Sequence, residues 1–150
     1  MIQEIIIICI TILLSAFFSG MEIAFVSANK MHIELEKKKD SFLAQILSLL
    51  TKRPSKFITT MLVGNNISLV IYGYFMGDLL IRFIAPYISN EFIVLLVQTI
   101  ISTLIILVTA EFLPKAIFRI YANETLKFFA IPAFLFYLIF YLIHCHCIRR

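Results

Sequence analysis

The sequence lacks what several familiar classes of protein need. Cys9, Cys145 and Cys147 are its only cysteines, an odd number that frames no set of disulfides. No Lys or Arg precedes the first long apolar run, only Gln3 and Glu4. That run therefore lacks the positive leader of a secretory signal and is expected to stay in the mature protein as a span. Charge is sparse, at 15% of residues, and no internal repeat or low-complexity segment is present. The net charge of +4 could point to a polyanion partner, but the basic residues flank apolar runs. Membrane topology accounts for them better than nucleic acid does.

Apolar residues are what the chain does have. They make up 61% of the 150 residues, with a mean hydropathy of +0.99, and several runs approach the ~20 residues that cross a bilayer core. The reading is one all-α integral membrane domain over residues 1–150. Three transmembrane helices are expected, at about 2–28, 57–81 and 92–118. Between the first two, Phe42, Leu43, Ile46, Leu47 and Leu50 recur at helical spacing. They predict an amphipathic juxtamembrane helix within about 29–53, lying on the membrane surface or against the bundle, with Pro54 at its end. A second juxtamembrane segment, about 124–145, carries Pro132 and is slightly short for a crossing.

All basic residues except Arg82 fall between spans one and two or at and beyond the inner end of span three. By the positive-inside rule the N-terminus is outside, and the first loop and the C-terminus are cytoplasmic. A full crossing from Phe128 would carry Arg149 and Arg150 outside, so an in-plane or half-inserted helix is expected there.

Each span has a polar signature: Ser19, Gly20 and Glu22 in the first, Gly64, Asn65 and Asn66 in the second, Glu111 and Pro114 in the third. Counted from the cytoplasmic ends at ~1.5 Å per residue, Ser19, Asn65 and Glu111 all lie roughly 11–13 Å deep. An ionised carboxylate in the bilayer costs at least ~2.5 kcal/mol, and no Lys or Arg is expected at that level. A cation is the natural compensation. Carboxylate, amide and hydroxyl oxygens, with carbonyls freed where Gly20, Gly64 and Pro114 loosen the helices, suit Mg²⁺, Ca²⁺, Mn²⁺ or Na⁺. Two carboxylates favour a divalent ion. Plainer roles compete at each position: close helix contact for Ser19, interhelical hydrogen bonding for Asn65 and Asn66, and pairing with Lys30 for Glu22.

The stretches "FFSGMEIAF", "TTMLVGNNIS" and "AEFLPKAI" resemble the "SGxExA", "GNN" and "GExxPK" signatures of the cyclin M and CorC transmembrane domain. The resemblance runs over nearly the whole chain, in order. It implies Mg²⁺ transport by a homodimeric domain of three spans plus juxtamembrane helices, in a cell inner or plasma membrane. Carried over by motif, the metal ligands would be Ser19, Asn65 and Glu111 with neighbouring carbonyls. Gly20, Glu22, Gly64, Asn66, Ala110 and Pro114 are further candidates for the ion site or its coupling, with Na⁺ or H⁺ as coupling ion. Ala110 stands where the family usually has Gly. Members usually continue into a cytoplasmic cystathionine-β-synthase (CBS) pair, which is absent from the 150 residues.

Export of a hard divalent cation, most of all Mg²⁺, is thus the leading expectation. A non-transporting scaffold or ion-sensing dimer module is the alternative. An enzyme is not expected: Asp40 and Asp78 are not level, and no His stands beside Ser19 to activate it. Of the weaker candidates, His144, Cys145, His146 and Cys147 are too close in sequence to wrap one ion. The Asn123-Glu124-Thr125 sequon falls on the cytoplasmic side, and His32 is expected to be solvated.

Overall fold

A computed structural model describes residues 2–39 and 41–148, with side chains as far as Phe140. Among the described residues there are helices and no strands. Span one is α1, Ile2–Ser27. The first juxtamembrane segment is two helices, each started by a side chain that accepts an otherwise orphaned N–H. Asn29 caps α2, Lys30–Lys37, and Ser41 caps α3, Phe42–Lys52. Span two is α4, Pro54–Ile84, with the proline at its first turn, where no N–H is missed. Asn90 caps span three, which comprises α5 (Glu91–Ile106), a π-helical stretch (Leu107–Phe112) and α6 (Leu113–Ile120). Then follow α7, Ala122–Phe128, and α8, Ala130–Ile148.

The three spans run over Ile2–Ser27, Pro54–Ile84 and Glu91–Ile120. Spans two and three extend beyond their expected ends. At ~1.5 Å per residue each span exceeds a ~30 Å hydrocarbon core, so their ends emerge from it or the helices tilt.

α1 is the central span. It packs most extensively on α4 and also meets the π-helical stretch, α6 and α7. Ile8, Thr11, Ser15, Phe18, Ser19 and Met21 are buried along it at spacings of mostly three and four residues. The outward faces of α4 and α5 expose Val63, Ile67, Val70, Leu96 and Leu104, side chains that lipid solvates as readily as protein does.

The main core lies at one end of the bundle. Phe18 and Met21 of α1, Ile46, Leu47 and Leu50 of α3, Phe57 and Met61 of α4, and Leu126, Ala130 and Ala133 near the α7–α8 bend form one cluster. The amphipathic α3 is therefore docked against the bundle. α7 and α8 meet at a 64° bend, and Ala130 and Ala133 face the cluster with no exposed area. Together the two helices are apolar enough to count as a broken span or a re-entrant pair. At the opposite end Arg82 pairs with Asp78 and lies 3.0 Å from Glu4, tying the start of α1 to the end of α4.

Candidate ion site

The irregularity in span three begins with Pro114. It has no N–H for the Ala110 carbonyl one turn back, and its ring would press on that carbonyl in a regular α-helix. The backbone widens instead, and Leu107–Phe112 is π-helical. Ser19 Oγ donates to the Ala110 carbonyl at 2.7 Å. Both residues have no exposed area, so a hydroxyl of α1 takes up the acceptor that the proline leaves without its usual donor.

One turn earlier on α1, Ser15 Oγ donates to Asn65 Oδ1 at 2.6 Å. Ser68 Oγ, one turn along α4, donates to the Gly64 carbonyl at 3.0 Å. Ser15, Ser19, Asn65 and the Ala110 carbonyl thus form a buried polar seam between α1 and the other two spans. Ser15 is the member that motif reading missed. Its signal was its place one turn from Ser19 on the buried stripe.

Glu111 stands differently. Its side chain is 30% exposed, with Lys115 Nζ at 3.6 Å. It lines a groove of about 610 Å³ together with Ile23, Phe112, Lys115 and Arg119. Among the described residues no hydrogen bond joins it to Ser19 or Asn65. The expectation that no cation lies at its depth is corrected: a lysine four residues on reaches back along the helix. Glu22 is half-buried and has no ion pair among the described residues, so the pairing with Lys30 is not seen. Asn66 is exposed, in a shallow apolar recess with Val63, Ile67 and Val70, away from the seam that holds its neighbour.

The glycines also depart from expectation. Gly20 and Gly64 do not loosen their helices, which run unbroken through both. They make room for rings. A Cβ on Gly20 would lie 2.6 Å from the Phe118 ring, and one on Gly64 would lie 2.7 Å from the Phe18 ring. Only Pro114 stands beside a departure from α-helical backbone in the spans.

His32 is not solvated as expected: its Nε2 is buried with no hydrogen-bond partner. Asn123 is engaged in the fold, accepting from the Asn29 N–H at 3.0 Å and so tying the start of α2 to α7. Nearby, the Glu36 carboxyl is held well below its usual range, at about 2, by hydrogen bonds from Lys127 first and Lys39 second. The side chains of His144, Cys145, His146 and Cys147, and all of Arg149 and Arg150, lie outside the described residues. Among the described residues no three His, Cys, Asp or Glu side chains come together. An ion held here would therefore depend on hydroxyl, amide and carbonyl oxygens as well as carboxylate.

Comparison with known proteins agrees with this architecture. The profile of the cyclin M transmembrane N-terminal domain matches residues 6–147. The UPF0053 protein MG146 of Mycoplasma genitalium is 28% identical over 143 residues, covering 90% of the chain and 33% of the relative. The UPF0053 protein sll0260 of a Synechocystis species is 31% identical over 126 residues, covering 76% of the chain and 27% of the relative. The chain thus spans between about a quarter and a third of the length of these relatives. With the profile matched across three apolar spans in one helical bundle, the chain belongs to the cyclin M transmembrane N-terminal domain family.

Proposed function

We propose that this chain is the membrane domain of a transporter for a hard divalent cation, Mg²⁺ above all, and that it moves the ion out of the cytoplasm. The observation that carries the reading is the distorted segment of span three. There a buried backbone carbonyl, at Ala110, meets a hydroxyl of another span beside a carboxylate that opens on a groove. Non-helical backbone at membrane depth is tolerated where it is buried in protein or lines a cavity. Irregular segments of this kind supply carbonyl ligands in many transporters.

In this reading Glu111 receives the ion from the groove and exchanges its contact with Lys115 for the ion. Ser19 and the Ala110 carbonyl turn their lone pairs to it. Asn65, released from Ser15, completes the protein ligands. Rocking of α1 against the π-helical stretch then opens the outer side. Glu22 or Glu111 accepts H⁺, or Na⁺ replaces the divalent ion, as the site empties. The domain works as a homodimer in a cell inner or plasma membrane, with the N-terminus outside. In a full-length protein a cytoplasmic CBS pair would regulate it.

A second reading is favoured by a specific feature. Ser15, Ser19, Asn65 and the Ala110 carbonyl already satisfy one another within the chain, as a seam that only holds a scaffold together would. Mg²⁺ titration by thermal shift and calorimetry separates the two. The transporter reading expects stabilisation by Mg²⁺ in the wild type and its loss in Glu111→Gln, which keeps shape but removes charge. Glu22→Gln should be milder. Wild-type-like Mg²⁺ binding in Glu111→Gln would overturn the site. Indifference of the wild type to Mg²⁺ would leave the scaffold.

A further inference from the structure

The groove beside Glu111 carries a second chemistry besides ion entry. Its floor is apolar, with Ile23 of α1, Val108 of the π-helical stretch and Phe112. Its rim is cationic. Lys115 and Arg119 are four residues apart on α6 and so share one helix face, about 6 Å apart along the axis. Lys115 faces Glu111 at 3.6 Å. Arg119 is exposed and has no ion pair among the described residues. The rim therefore carries one carboxylate against two cations, and the unopposed charge is the one nearest the end of the span, which stops at Ile120.

We infer that this groove binds an anionic phospholipid, its phosphate on Arg119 with help from Lys115 and one acyl chain laid over Phe112, Val108 and Ile23. The complementarity is double: a guanidinium forks onto phosphate oxygens, and the apolar floor runs deeper into the bilayer from that point. Basic pockets between spans at the cytoplasmic face suit anionic headgroups in this way. Glu111 does not oppose the headgroup, because it lies eight residues, or about 12 Å, further into the membrane and is faced by Lys115. The inference does not depend on ion transport.

The test is native mass spectrometry of the intact protein in mild detergent, titrated with phosphatidylglycerol or phosphatidylcholine. The wild type should retain phosphatidylglycerol in preference. Arg119→Gln should lower that preference about fivefold, the usual contribution of one basic residue near an anionic surface. Arg119→Lys should keep most of it and shows that the fold tolerates change at the position. Arg53→Gln, which removes a charge at the exposed junction of α3 and α4, should leave it unchanged. Equal retention in Arg119→Gln and wild type would overturn the proposal, as would equal losses in Arg119→Gln and Arg53→Gln. Inorganic phosphate displacing the lipid would also overturn it, by showing a simple anion site. So would a change of oligomeric mass in Arg119→Gln with lipid adducts intact, by assigning the groove to a second copy of the chain.

Discussion

Ser19 and Pro114 lie far apart in sequence, yet they solve one problem together. The proline removes the N–H that would serve the Ala110 carbonyl, and the serine supplies a hydroxyl at 2.7 Å. Ser19→Ala should therefore cost more than an ordinary buried hydrogen bond. It strands a buried acceptor, and a loss of about 1–3 kcal/mol is expected from thermal or denaturant unfolding in detergent. Gly20 is a different case at the same scale. With the Phe118 ring 2.6 Å from where a Cβ would sit, Gly20→Ala should overpack the α1–α6 contact by about 1–3 kcal/mol. Adding Phe118→Leu should recover part of that loss. A neutral or stabilising Gly20→Ala would show that the Phe118 ring gives way freely and that the glycine has another role.

The short helices show how elements are held to the bundle. α2 has no fully buried residue; Ile33 packs half-buried against the main core, and polar contacts fasten both ends: Asn29 to Asn123, and Glu36 to Lys127 at 2.6 Å across to α7. This predicts a pH dependence with a definite sign. The Glu36 carboxyl is lowered from 4.5 to about 2 in the folded chain, by Lys127 first and then Lys39. A depressed carboxyl contributes stability that is present above its unfolded value and lost as pH falls through the folded one. The α2–α7 link should thus weaken progressively between pH 4.5 and about 2, and salt should reduce the effect in part, because the pair is only partly buried. Hydrogen exchange in α2 should rise over that window in the wild type and be flat in Glu36→Gln. A wild-type response equal to that of the variant would remove Glu36 as its cause. α3 needs no such clamp, since Ile46, Leu47 and Leu50 are almost fully buried.

For the molecule as a whole, the distribution of charge predicts which side of the membrane each end faces. All basic residues but Arg82 cluster around the inner ends of the proposed topology. Arg82 itself is matched by Asp78 and Glu4. With native cysteines replaced, Lys38→Cys and Arg150→Cys should label only from the cytoplasmic side, and Tyr87→Cys only from outside. Labelling of positions 38 and 150 from opposite sides would instead make α7 and α8 a fourth, broken span, which their 64° bend and apolar character allow. The broad apolar faces of α4 and α5 are consistent with lipid contact, and a two-fold homodimer would cover part of them. A monomeric mass both in mild detergent and in nanodiscs would argue against that assembly.

Much of this was legible along the chain because its causes are local. Span number and approximate limits follow from runs of apolar residues measured against a fixed bilayer thickness. The docked face of α3 follows from its repeat, and Pro114 marks the distortion because its missing N–H acts one turn away. Counting along the helices gave Ser19, Asn65 and Glu111 a common depth as an expectation. What counting could not supply is direction around each helix axis. That is set by how side chains of different spans fit, and only the tertiary structure decided it. It joined Ser19 to a carbonyl and Asn65 to Ser15, turned Glu111 toward Lys115 and an open groove, and left Asn66 outside. The glycines were misread for the same reason. A glycine's effect on its own helix is a local propensity, whereas the ring that fills the space above it comes from a residue distant in sequence or on another span and is visible only once the spans are packed.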